Sequence, residues 1–251
     1  MAELEDAQDS GSCGVFPRAG SSPALGTKNM KKIFSLLFLL FFAVILHNCS
    51  QKEPPNDPAL LYKLAMEKAE GGIFTVDYET AERYFRKIIE LFPTSQYVPD
   101  ANFGIAYVRM KRGDCAEAAV LFESFYQRYS SHKKAPDALY YSILCYMKFV
   151  DTPDRDIEYA KKVREISSIF IQRYQDHEKF KEVMKAREKV LNLIAEHHLS
   201  VAEFYIRRKL YEPALRRLEI ILEKDKDLSK TAVAKKAEKI YAEVKNKKGE
   251  K

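Results

Sequence analysis

The sequence predicts an all-α fold in which antiparallel helix pairs repeat and stack, about five units and roughly ten helices in all. Three observations predict it. Runs such as residues 81–92 (AERYFRKIIELF) and 116–129 (AEAAVLFESFYQRY) place apolar residues at i, i+3, i+4 and i+7, the period of a half-buried helix. The chain matches itself at an offset of 37 residues: Ala81, Phe85, Phe92, Pro99, Asp100, Ala101 and Phe103 return as Ala118, Phe122, Tyr129, Pro136, Asp137, Ala138 and Tyr140. No stretch alternates apolar and polar residues between turn signals, as strands would.

The elements follow in order. Residues 1–29 are rich in Gly, Ser and Ala and show no apolar period, so they read as a disordered extension, with Met30 as the expected true start. Residues 30–48 read as an export signal. Lys31 and Lys32 precede an apolar run, Ile33–Leu46, of 14 residues. That is shorter than the roughly 20 needed to span a bilayer. The run ends in Leu46-His47-Asn48-Cys49, which resembles a bacterial lipobox, although Asn48 stands where Gly or Ala is usual. The resemblance implies that Cys49 becomes the first residue and carries a diacylglycerol and a fatty acyl chain. Ser50 then fits sorting to the outer membrane. Residues 49–58, polar and with three prolines, suit a tether.

The folded body is expected over residues 59–246. Ala81 and Ala118 are small residues for close helix crossings, and Phe85 and Phe122 fill the space beside them. Pro99 and Pro136 lie in first helical turns, where a missing N–H costs nothing. Gly71-Gly72 reads as a turn, and Gly113-Asp114 as another, with Asp114 as an N-cap. A third unit is traced through Ala138–Tyr174, with a turn at 152–156 and Ala160 in the small position. A fourth runs over 201–223 with Ala202, Ala214 and Leu218, and a last helix at 229–245 caps the array. Residues 178–212 contain no Pro or Gly, which allows one long helix over 180–208, with a break near His197-His198 as the alternative. Residues 247–251 read as a disordered basic tail.

Charge and composition restrict the function. The net charge is +6, and residues 224–251 hold ten Lys against five acids. Such a run reads first as a solvated helix face. An exported protein meets little nucleic acid, although anionic headgroups remain possible partners. Cys115 and Cys145 lack metal or redox spacing and read as small core residues more than as a disulfide. The histidines of the body, His132, His177, His197 and His198, show no i,i+4 pair for a metal. No Gly-rich phosphate loop or nucleophile motif occurs, so no catalytic residue, metal or cofactor is assigned and an enzyme is not expected. Stacked pairs instead leave a groove for binding. Tyr62, Tyr97, Tyr107 and Tyr126 are the aromatic candidates for lining it, with core packing as their other reading.

The spacing resembles the tetratricopeptide repeat lengthened by three residues. More of the chain resembles the BamD family of outer-membrane assembly lipoproteins, over about residues 58–245. The segments that carry this are LYKLAMEKAEGG (61–72), YETAERYFRKIIELFPTSQYVPDA (78–101), DRDIEYAKKVREISSIFIQRY (154–174) and HHLSVAEFYIRRKLYEPALRRLEIIL (197–222). The departures are His198 for the family's usual acid and Lys209 for its turn Gly. The resemblance implies a lipid-anchored scaffold on the periplasmic face of the outer membrane, binding a BamA-type insertase and unfolded outer membrane proteins. It places the insertase contact on Arg217, with Arg216 and Glu219 beside it. A second reading is another tetratricopeptide-type envelope adaptor, in cell division or peptidoglycan coordination. Those relatives usually carry an N-terminal coiled coil, and no heptad run occurs between Cys49 and Ala59.

Overall fold

A computed structural model of the chain describes residues 56–71, 75–150 and 157–249. The expected signal, Cys49, most of the tether, Gly72 and the turn at 152–156 lie outside the described residues. Within them the fold is all-α, with nine α-helices and no strand. They are α1 (Pro58–Glu70), α2 (Tyr78–Leu91), α3 (Tyr97–Arg112), α4 (Cys115–Arg128), α5 (Ala135–Met147), α6 (Glu158–Arg173), α7 (Phe180–Arg207), α8 (Tyr211–Glu219) and α9 (Ala234–Gly249). A π-helical turn, Ile220–Lys224, extends α8, and a 3₁₀ turn follows at Leu228–Lys230. Each helix packs on its sequence neighbours, giving four pairs and an unpaired ninth helix, a tetratricopeptide-like superhelix. The first members of the pairs also touch, α1 with α3 and α5 with α7, and so form an inner layer.

Helix ends follow local chemistry. Asp57 caps α1 by accepting from Ala59 N at 2.9 Å, and Pro58 occupies the first turn. Asp77 caps α2 by accepting from Thr80 N at 3.0 Å. Gly71 and Gly113 end α1 and α3 at φ +81° and +102°. Asp114 sits at the N-cap of α4 but does not cap it. Arg112 Nε, 2.7 Å away, captures the carboxylate instead. The turn after α7 repeats the bonding of the turn after α3. Asp114 N donates to Arg109 O at 2.9 Å, and Leu210 N to Tyr205 O at 3.0 Å. Lys209 takes the left-handed position there at φ +59°, accepting strain that glycine would avoid.

The connection between pairs has one geometry throughout. Ser95 N donates to Phe92 O at 2.9 Å and Val98 N to Ser95 O at 3.1 Å. His132 and Ala135 repeat these bonds after Tyr129, His177 and Phe180 after Tyr174, and Thr231 and Ala234 after Leu228. Counted back from these turns, Ala81 and Phe85 correspond to Ala118 and Phe122, and all four are fully buried. In the third pair the same positions are Val163 and Ser167. Ala160, the small residue expected here, is buried one turn earlier, 14 residues before Tyr174 against 11 in the first two pairs. The reason is length, since α6 has 16 residues against 14 in α2 and α4.

In the C-terminal part the expectation of one long helix over 180–208 holds. α7 is continuous through His197-His198, about 42 Å long at 1.5 Å per residue. Its first half packs on α6 and its second on α8. α9 remains helical to Gly249, into the segment expected as tail.

α3 buries residues on opposite faces. Ile105 and Val108 join the cluster of α1 and α2, while Phe103 and Ala106 join the larger one that runs to α9. Gly104 lies between them, and a Cβ there would stand 2.5 Å from the Phe85 ring. Gly104→Ala is therefore expected to destabilise the fold by about 1–3 kcal/mol, from overpacking that outweighs the gain in helix propensity. Urea unfolding followed by circular dichroism checks this, and an unchanged midpoint contradicts it.

Candidate partner interface

Arg216, Arg217 and Glu219 all lie on α8. Arg216 is exposed, while Arg217 is partly covered by α7. Its Nη1 lies 3.5 Å from His198 Nδ1, so the structure brings together two residues that the sequence placed 19 apart. Burial, with the Arg217 charge next, pushes the His198 pKa down to about 4. The imidazole is neutral at pH 7 and presents Nδ1 as an acceptor, which puts its hydrogen on Nε2. His198 thus holds the guanidinium in place without neutralising it. No carboxylate pairs with Arg217 among the described residues, whereas Glu219 pairs with Lys224 at 3.3 Å.

A polar clamp sets the position of this helix. Arg164 of α6 forks onto Asp225, with Nη1–Oδ2 2.5 Å and Nη2–Oδ1 2.8 Å, and also reaches Asp227 at 3.1 Å. Arg187 of α7 meets Asp227 at 2.8 Å and Arg164 O at 2.8 Å. Burial alone would raise the Asp225 carboxyl, but its bonds to Arg164 outweigh that and hold it below the usual carboxylate range. Ser167 contributes by being small. Where the first two pairs have Phe85 and Phe122, it leaves room for Arg187, which approaches its Oγ at 3.3 Å.

The aromatic candidates separate into three groups. Tyr62 of α1 and Tyr97 of α3 come together, with ring centroids 5.6 Å apart. Lys134 joins them, with Nζ 3.3 Å from Tyr62 Oη, 2.7 Å from Asp100 and 5.0 Å from the Phe103 ring centre. Tyr107 faces Tyr141 at 5.9 Å further along the same inner layer. Tyr126 does not belong to this surface. It lies on α4, in the other layer, and is 9% exposed because the cluster shared with α6 covers it.

Sequence reasoning missed two histidines that brace successive pairs. His132 Nδ1 accepts from Lys134 N at 3.2 Å, and its ring meets Phe125 edge-on at 86°. His177 repeats this with Lys179 N at 3.2 Å and Phe170 at 89°. Their Nε2 atoms lie 3.8 Å from Asp100 and 3.6 Å from Asp137, which belong to the first turn of the preceding inner helix. The signal was present in the sequence as Tyr-x-x-His-x-Lys at 129–134 and 174–179. Between the first two pairs Ser95 Oγ takes the role, accepting from Tyr97 N at 3.3 Å. A second brace also joins the first two pairs. Glu82 of α2 is nearly buried and accepts from Arg86 at 2.7 Å and from Arg109 of α3 at 2.9 Å. Burial opposes its ionisation, but these bonds prevail and lower its pKa.

Among the described residues no three His, Cys, Asp or Glu side chains converge as a metal site, and no helix is long and apolar enough to cross a membrane. The fold defines a helical-repeat protein of the tetratricopeptide type. The sequence model of the YfiO family, described as "Outer membrane lipoprotein", matches residues 56–251, and the chain belongs to that family. The chain is similar to the outer membrane protein assembly factor BamD of Pasteurella multocida, 24% identical over 80% of this chain and 81% of that one. It is similar as well to BamD of Vibrio cholerae, 24% identical over 79% and 85%, and to BamD of Xylella fastidiosa strain 9a5c, 22% over 75% and 68%.

The buried imidazole gives a pH prediction. A His pKa of about 4 in the fold, against about 6.5 unfolded, means that the unfolded chain binds more protons between those values. His198 therefore contributes stability that is fully present above pH 6.5 and is lost as the pH falls towards 4. Urea titrations at pH 7.0, 6.0 and 5.0 are expected to show a falling midpoint, with a shallower fall in His198→Gln. Equal slopes in the two proteins contradict the assignment.

Proposed function

We propose that the protein is a lipid-anchored scaffold of outer-membrane protein assembly, holding a BamA-type insertase on α8 and receiving unfolded outer membrane proteins on the inner layer. Family membership and the printed role of its relatives support the assembly role. The observation that carries the insertase assignment is Arg217. It is fixed by His198, half-covered, and keeps its charge for a partner's carboxylate, as an interface anchor requires. The pair Tyr62 and Tyr97, with Lys134 and Asp100 beside them, offers apolar rings and both charges to an extended segment. Tyr107 continues that surface. In this reading Cys49 carries the diacylglycerol and fatty acyl chains, and the tether holds the repeat body at the periplasmic face of the outer membrane.

Two experiments test it. The native protein is expected to co-purify from detergent-solubilised membranes with a barrel-forming insertase. Arg217→Glu should weaken that complex by about 2–5 kcal/mol, while Arg216→Glu, on the exposed side, should cost less. Equal recovery with Arg217→Glu, in protein of unchanged circular dichroism, sinks the site. No insertase with the native chain sinks the function. Mass spectrometry of the mature protein is expected to find triacylated Cys49 as its first residue, and an unmodified Cys49 refutes the anchor.

A further inference from the structure

Cys115 and Cys145 take no part in either docking surface. Cys115 is the first residue of α4 and Cys145 lies in the last turn of α5, the neighbouring antiparallel helix. Both are buried, unbonded and in one apolar cluster. Cys115 is a near neighbour of both Cys145 and Lys148: after burial it is what raises the Cys145 thiol, and it raises the Lys148 ammonium. Packing alone does not ask for sulfur here. One repeat earlier the position of Cys145 is held by Val108, equally buried. Cys115 also lines an open groove of about 430 Å³, together with Arg109, Arg112 and Phe149. Cys115, itself 2% exposed, thus borders a solvent-filled groove that Cys145 does not line.

We infer that Cys115 and Cys145 are a dithiol that a small-molecule disulfide oxidises to an intramolecular disulfide, pinning α4 to α5. The Cys115 thiolate attacks one sulfur of the oxidant and expels the first thiolate, leaving a mixed disulfide. The Cys145 sulfur then attacks the Cys115 sulfur, the second oxidant thiol leaves, and the two protons of the dithiol end on the two expelled thiols. The protein is oxidised by two electrons and the oxidant reduced by two. Burial, and next the neighbouring Cys115, push the Cys145 thiol up to about 12, which makes it the poorer first nucleophile and assigns it the resolving step. Only the setting in which this operates, an oxidising exported compartment, rests on the proposed function.

Peptide mapping tests the pair directly. Purified full-length protein is incubated with oxidised glutathione at pH 8, alkylated, digested with trypsin and analysed without reduction. The expected product joins peptide 113–128 to peptide 135–148 with the loss of two hydrogens, and the melting temperature of the oxidised protein rises. Cys145→Val, which copies Val108, should stop at a glutathione adduct on Cys115, and Cys115→Ser should give neither product. Two free thiols, a persisting adduct on Cys115 of the native chain, or bridges from these residues to Cys13 or Cys49 would each overturn the inference. The chemistry needs no lipid, so protein carrying Cys49→Ser gives the same map even where the anchor assignment has failed.

Discussion

The array depends on the backbone closure between successive pairs. Where an outer helix ends, its last carbonyl accepts from the residue three positions on, whose carbonyl accepts from the residue three beyond that. These seven residues leave little rotational freedom, so the direction of each new inner helix is set before its side chains pack. In the first three closures the central position also supplies a side-chain acceptor for the amide two residues later, from Ser95, His132 and His177. With the closure fixed, Asp100 and Asp137 come opposite the histidines, and Tyr62 meets Tyr97.

The same closure explains what could be read from the chain. The first two connections and their outer helices have equal length, so side-chain identity returns at a constant offset, and Ala81/Ala118 and Phe85/Phe122 were legible. Before α6 the turn positions move to an offset of 45 (129 to 174), so the 37-residue match ends there, and Ala160 lies 14 residues before Tyr174 where the earlier small residues lie 11 before theirs. Tyr126 failed for another reason. Its helical phase is equally good for groove and core, and only the stacking of α6 decides between them. Asp114 was a sound capping residue by local rules until Arg112, two residues away, offered the stronger charge-assisted partner. The contact between Arg217 and His198 depends on how α8 lies across α7, which no local pattern encodes.

The means of fixing a helix changes from apolar to polar along the body. The first two crossings are closed by buried rings, one of which needs Gly104 beneath it. The third exchanges the ring for Ser167 and fills the space with Arg187, bound in turn to Arg164, Asp225 and Asp227. A half-buried ionic clamp adds less net stability than rings of similar volume but is more exacting in geometry. Its position fits that property, because the π turn and the segment after it must be placed accurately for α8 to present Arg217.

The unbroken α7 has a consequence for how this architecture can be divided. In the first three pairs the polypeptide crosses from one pair to the next through a short link that a recombination event could cut without exposing a core. Within α7, residues 180–207, there is no such link, since one rod packs on both α6 and α8. The part of the chain from α7 onward is therefore not divisible into smaller modules. Gene fusion, domain shuffling or limited proteolysis that divides the chain between residues 180 and 207 strips apolar surface from both sides of the cut, so this half of the molecule is inherited whole.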